Sequence, residues 1–97
     1  MNKLNFKELE LDLNTIQCTI SGLEVKLTKN EFLLLKFLLD NIDKVFNRKQ
    51  LITSVWNYKI SLRSVDTTVS RLRNKLGDYG KYIVTRLGFG YGFLTDI

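Results

Sequence analysis

An α+β fold is predicted for this 97-residue chain: short antiparallel strands first, three helices in the middle and a β-hairpin at the end. Three observations predict it. Apolar and polar residues alternate through positions 1 to 27, the period of half-buried strands; helical spacing with capping signatures fills positions 28 to 77; and Gly88, Gly90 and Gly92 punctuate an apolar C-terminal run. A chain of this length holds one domain with a single modest core.

The strands come first. Leu9, Leu11 and Leu13 alternate with Glu8, Glu10 and Asp12, and Ile16, Cys18 and Ile20 with Gln17 and Thr19, so each segment has one face to bury and the acidic side chains form a solvated face. Ser21-Gly22 turns the chain into a further strand carrying Val25 and Leu27. Cys18 lies on the apolar side and is read as a small core residue.

Helix starts are written in the sequence. Thr28-Lys-Asn-Glu31 is a capping box with Leu27 stapling onto Phe32, and this helix is expected to end near Asp40 or Asn41. Asn47-Arg-Lys-Gln50 repeats the device with Phe46 and Leu51, starting a second helix at Arg48 that turns Leu51, Ile52, Val55 and Trp56 to the core. The third is expected over 64 to 77, with Ser64 as N-cap, Asp66 at the positive end of its dipole and Gly77 as C-cap. Its staple positions, Arg63 and Thr68, are polar, which predicts an exposed first turn. Beyond it, Tyr82 to Leu87 reads as a strand, Gly88 to Gly90 as a tight turn and Tyr91 to Thr95 as the return. These glycines do not form a phosphate loop: no helix follows them and no Lys-Ser or Lys-Thr pair closes the motif.

Composition narrows the function. At 44% apolar and 26% charged the chain is globular, and its apolar runs fall far short of the roughly 20 residues of a bilayer span. With one cysteine and no secretory signal at the N-terminus, a cytoplasmic protein is expected. With no histidine and no clustered acids beyond the strand face, nothing assembles a catalytic or metal site. No enzyme activity, cofactor, metal, membrane or small-molecule ligand is expected.

The charge of +5 is unevenly placed: residues 48 to 97 carry nine basic against three acidic side chains. That is the asymmetry of an anion-binding surface. Within this half, Val65, Val69, Leu72 and Leu76 form one apolar stripe of the third helix, and Thr67, Ser70, Arg71 and Asn74 fall opposite. Arginine and asparagine can pair bidentately with base edges, and Arg73 and Lys75 lie at the flanks where phosphates would run. Together with the hairpin this looks like a DNA-reading device. If about five to seven of Arg48, Arg63, Arg71, Arg73, Lys75, Lys81 and Arg86 neutralise phosphates, log affinity falls against log salt with a slope of about −4 to −6.

Leu27 to Leu35, Val45 to Leu51, Val55-Trp56, Arg63 to Leu76 and Thr85 to Phe93 resemble, in order and spacing, the winged-helix effector domain of OmpR/PhoB-type response regulators, over nearly the whole chain. The resemblance implies a winged helix-turn-helix with an N-terminal four-stranded antiparallel platform and a C-terminal wing. It implies sequence-specific duplex DNA binding for transcriptional regulation, as the output domain of a two-component phosphorelay in bacteria. The third helix would enter the major groove and the wing the adjacent backbone or minor groove. The loop of about Asn57 to Leu62 would face RNA polymerase, and two copies would associate head to tail on direct repeats. Residue by residue, it implies that Arg63 and Arg73 contact the DNA backbone and that Thr67, Ser70 and Arg71 face the bases. Thr68 stands where a histidine is frequent, Asp66 is local and structural, and Thr85 and Tyr91 hydrogen-bond phosphate. Leu87 replaces the wing arginine, and Arg86 just before it points to the opposite strand face. Trp56 is read as core, with its indole N–H a phosphate donor at the rim. The family's receiver domain does not fit in 97 residues beside this one, so an isolated effector domain is expected. The alternative reading is a winged-helix module that binds protein or RNA.

Overall fold

The computed structural model describes residues 2–56 and 58–96. Four strands, β1 (Lys3–Phe6), β2 (Leu9–Asp12), β3 (Gln17–Ile20) and β4 (Leu23–Val25), form an antiparallel sheet in chain order. Leu11 pairs with Cys18 across β2 and β3, and Leu9, Leu11 and Cys18 are buried on one face. The expected alternation stops short of Leu13 and Ile16. The Asp12 carboxylate accepts from the backbone N–H groups of Asn14 and Thr15 at 2.9 and 3.1 Å, which ends the pairing, and Ile16 falls in the turn at φ +58° with 61% exposure. Ser21 and Gly22 both take positive φ, as a two-residue hairpin turn requires.

Helices α1 (Lys29–Asp40) and α2 (Arg48–Val55) begin at Thr28 and Asn47 with both predicted capping boxes formed. The predicted C-terminal end of α1 also holds, with Asn41 as its cap. Helix α3 differs from expectation: it runs Leu62–Lys75, its C-cap is Leu76 with Gly77 just beyond at φ +58°, and its N-cap is Ser61, whose side chain accepts from the Ser64 backbone N–H at 3.1 Å. Two serines three apart compete for the cap, and no Glu or Gln at N3 marks the winner in the sequence. With Ser61 as cap, the staple positions become Ile60 and Val65, both apolar; Val65 is fully buried and Ile60 packs on the core. The entry to α3 is therefore anchored through Ile60 and Val65, so the polar pair Arg63 and Thr68 does not mark it, while Ser61 to Ser64 are exposed as expected of the first turn.

A short strand β5 (Val45–Phe46) was not legible in the sequence. It pairs with β7 (Gly90–Phe93), which also pairs with β6 (Ile83–Arg86), so the wing hairpin belongs to a three-stranded sheet ordered β5-β7-β6. A two-turn 3₁₀ segment, Gly77–Tyr82, occupies the start of the strand expected at Tyr82. The core joins the platform's inner face to Leu34, Leu35 and Leu38 of α1, the α3 stripe and Phe93. Each fully buried leucine there contributes roughly 1.5 to 3 kcal/mol. Trp56, the C-cap of α2, is 3% exposed and its Nε1 is buried with no hydrogen-bond partner among the described residues, so it is core and not a rim donor to phosphate.

Candidate nucleic-acid interface

The buried side of α3 consists of Val65, Thr68, Val69 and Leu72, continued by Leu76. At the 3.6-residue period, Arg63, Thr67, Ser70 and Asn74 fall opposite, and all four are exposed, with exposed Arg71 beside them. Among the described residues neither Arg63 nor Arg71 is ion-paired. Thr67 donates its hydroxyl to the Arg63 carbonyl at 3.1 Å, leaving the oxygen free to accept. This stripe offers cationic forks, a carboxamide and short hydroxyls on one convex surface, the donor and acceptor set that base edges and phosphates accept.

The flanks differ from expectation. Thr68 is 8% exposed and its hydroxyl donates to the Ser64 carbonyl at 2.7 Å, so it presents no group outward. Lys75 turns toward α1, where its ammonium lies 2.7 Å from a carboxylate oxygen of Glu31, itself 2% exposed. Burial raises the Glu31 pKa, but Lys75 and the capping contacts to Thr28 outweigh it and hold the carboxyl below its ordinary range. Lys75 thus neutralises an internal acid. Arg73 faces the wing: its Nε donates to the Ile83 carbonyl at 2.9 Å and its Nη2 to the Thr85 hydroxyl at 3.0 Å. It is a strut between α3 and β6 before it is anything else.

Asp66 closes a second tie, which fits the structural role expected of it. It accepts from the Tyr91 hydroxyl at 2.6 Å and lies 3.3 Å from Arg48 at the start of α2. Burial, then the Asp66 hydrogen bond, raise the Tyr91 pKa and keep its proton on. That proton is already donated, so Tyr91 can bond a phosphate only by leaving Asp66. Thr85 differs, because it accepts from Arg73 and keeps its own O–H to donate. Arg86 pairs with Gly90 on the strand face opposite to Thr85 and Tyr91, and lines a concavity with Val45, Asn47, Gln50 and Phe89. It does not replace the missing arginine at Leu87.

Two features were missed. The Arg48–Asp66–Tyr91 network has no signal in the sequence, because its members come from three elements. The exposed Phe89 at the wing tip has a sequence signal, a large apolar residue inside a glycine turn. Of the expected polymerase-facing segment, Asn57 lies outside the described residues, Ser61 caps α3 and Leu62 opens it. Tyr58 hydrogen-bonds Asn30 of α1, and Lys29 sits 5.3 Å from the Tyr58 ring centroid. No group of three metal-ligating side chains occurs among the described residues, and no helix there is long and apolar enough to cross a membrane.

Residues 22–93 match the family model described as transcriptional regulatory protein, C terminal. The chain is 44% identical to the transcriptional regulatory protein ResD of Bacillus subtilis, over 95% of the chain and 41% of that protein. It is thus about two fifths as long as the curated relatives it matches. It superposes on the response regulator DrrB, a Thermotoga maritima OmpR/PhoB homologue, with a TM-score of 0.84 at 33% identity, over 97% of this chain and 45% of that one. The DNA-binding domain of the response regulator AdeR, solved in complex with an intercistronic region, superposes with a TM-score of 0.84 at 30% identity, over 95% and 99% of the two chains. The sheet order, the capped helices and these matches agree, and the chain belongs to the C-terminal domains of OmpR/PhoB-type transcriptional regulatory proteins.

Proposed function

We propose that this domain binds duplex DNA sequence-specifically as the output element of a response regulator in the bacterial cytoplasm, with α3 in the major groove and the hairpin against the adjacent backbone. The observation that carries the reading is the exposed stripe Arg63, Thr67, Ser70 and Asn74, with Arg71 beside it, on a helix whose other side is locked into the core. Thr67, Ser70, Arg71 and Asn74 read bases; Arg63, Arg48 and the Thr85 hydroxyl hold phosphates. Family membership supports two further parts of the same reading: head-to-tail pairs on direct repeats about one helical turn apart, and a polymerase contact at the loop before α3.

Salt dependence tests the proposal. With Lys75 spent on Glu31, Arg73 on the wing, Arg86 turned away and Arg71 on a base, Arg63, Lys81 and, once it leaves Asp66, Arg48 remain for phosphates, and log affinity falls against log salt with a slope of about −2 to −3. A slope near zero, or tighter binding to single-stranded RNA than to duplex DNA, would falsify it and favour an RNA- or protein-binding module.

A further inference from the structure

Two large apolar side chains stand in solvent at the tip of the hairpin, Leu87 at 89% exposure and Phe89 at 73%. They flank Gly88, whose φ of +82° sits in a turn closed by the Phe89 N–H donating to the Arg86 carbonyl at 2.9 Å. Clustered exposed apolar surface marks a place where something docks.

The tip is held rigidly. Arg73 fastens β6 to α3, and Tyr91 fastens β7 to Asp66 of α3 and thereby to Arg48. At Gly90 a Cβ would lie 1.9 Å from the Phe46 carbonyl oxygen, so the hairpin is seated directly on the chain entering α2. Leu87 and Phe89 are therefore carried at a fixed offset from the exposed stripe of α3.

Charge and size select the occupant. Arg86 and Arg48 line the concavities that Phe89 overhangs, and the one acid beside them, Asp66, lies 3.3 Å from Arg48, so a polyanion approaching the tip meets no uncompensated acid. Two side chains on a narrow turn are far too small for a protein interface, which takes about 800 Å² from each partner. They match a minor groove about 6 Å wide, whose walls are deoxyribose and base edges.

We propose that the wing tip is an apolar minor-groove wedge, in which Leu87 enters the groove beside the major-groove site and Phe89 packs on its sugar wall, partly unstacking one base step. The wedge reads deformability: flexible pyrimidine–purine steps accept it at lower cost than stiff flanks, and no charge is used in the discrimination. This inference rests on the duplex DNA reading above.

The experiment uses the duplex preferred in selection from a random pool, with 2-aminopurine placed at successive flanking positions, and compares the wild type with Leu87→Ser, Phe89→Ser and the double variant. Both positions are exposed, so thermal unfolding should be unchanged. Wild type is expected to raise fluorescence at one or two adjacent positions, and the double variant to abolish that rise. The double variant should bind about tenfold more weakly on flanks with a TA step and about twofold or less on G·C flanks, with an unchanged salt slope. If wild type binds its site while the probe stays quenched at every position, or if the variant loses equally on both flanks, the wedge is overturned. Unchanged single-site binding with lost cooperativity on tandem sites also overturns it, in favour of a second copy at the tip. Failure of the wild type to prefer duplex DNA would refute the underlying reading instead, which keeps the two failures distinguishable.

Discussion

Replacing Arg73 separates a strut from a phosphate contact. Its guanidinium makes one partly buried hydrogen bond to the Ile83 carbonyl at 2.9 Å and one exposed bond to Thr85 at 3.0 Å. The first is charge-assisted and partly shielded, and contributes about 1.5 to 2 kcal/mol; the second, in solvent, contributes about 0.5 to 1. Arg73→Ala should therefore lower stability by about 2 to 3 kcal/mol, a shift in melting temperature of roughly 10 to 20 °C for a domain of this size. It should also weaken specific and random duplexes alike in the hairpin's backbone contacts, roughly tenfold, with any loss beyond that confined to flanks carrying the flexible step that the wing tip opens. The informative variant is Arg73→Lys, which keeps the charge and loses the fork. Urea unfolding, amide exchange across β6 and β7, and binding by anisotropy are the assays. If lysine restores both stability and affinity, charge alone matters at this position and the strut is wrong. If it restores neither, hairpin geometry is what Arg73 supplies.

Two further outcomes test the site. Arg71→Ala should cost about 1 to 3 kcal/mol on the preferred sequence and relax base preference at one position; equal loss on preferred and random duplexes would remove Arg71 from the base-reading set. Glu31→Gln leaves the Lys75 ammonium without its carboxylate and should destabilise the fold by about 1 to 3 kcal/mol at pH 7. The Glu31 pKa is depressed in the folded state, so the wild type's advantage is complete above the unfolded carboxyl value and is lost as pH falls through the folded one. The urea midpoints of the two proteins should converge below roughly pH 4.3. A gap that stays constant down to pH 3 would mean the Glu31 charge contributes nothing.

What the sequence determined by itself was whatever is encoded within a few residues. The capping boxes at Thr28–Glu31 and Asn47–Gln50, the apolar stripe of α3 and the alternation in β2 and β3 are local, and each appeared where its spacing put it. The outward set Thr67, Ser70, Arg71 and Asn74 followed for the same reason, since one face of a helix is fixed once the other is buried. Local signals failed where two equal ones competed, as at Ser61 and Ser64, or where a side chain ended a strand early, as Asp12 does before Ile16. Only the tertiary structure decided which cations are available to a ligand. Lys75 and Glu31 are 44 residues apart, Asp66 and Tyr91 25, and Arg73 and Ile83 10. In the sequence Arg63, Arg71, Arg73 and Lys75 are equivalent basic residues on one helix. Docking α3 against α1 on one side and the wing on the other gives Lys75 an acid and Arg73 a carbonyl and a hydroxyl, while Arg63 and Arg71 are unpaired among the described residues, because the buried Glu31 carboxylate needs a cation inside the protein and the outward face of α3 meets only solvent.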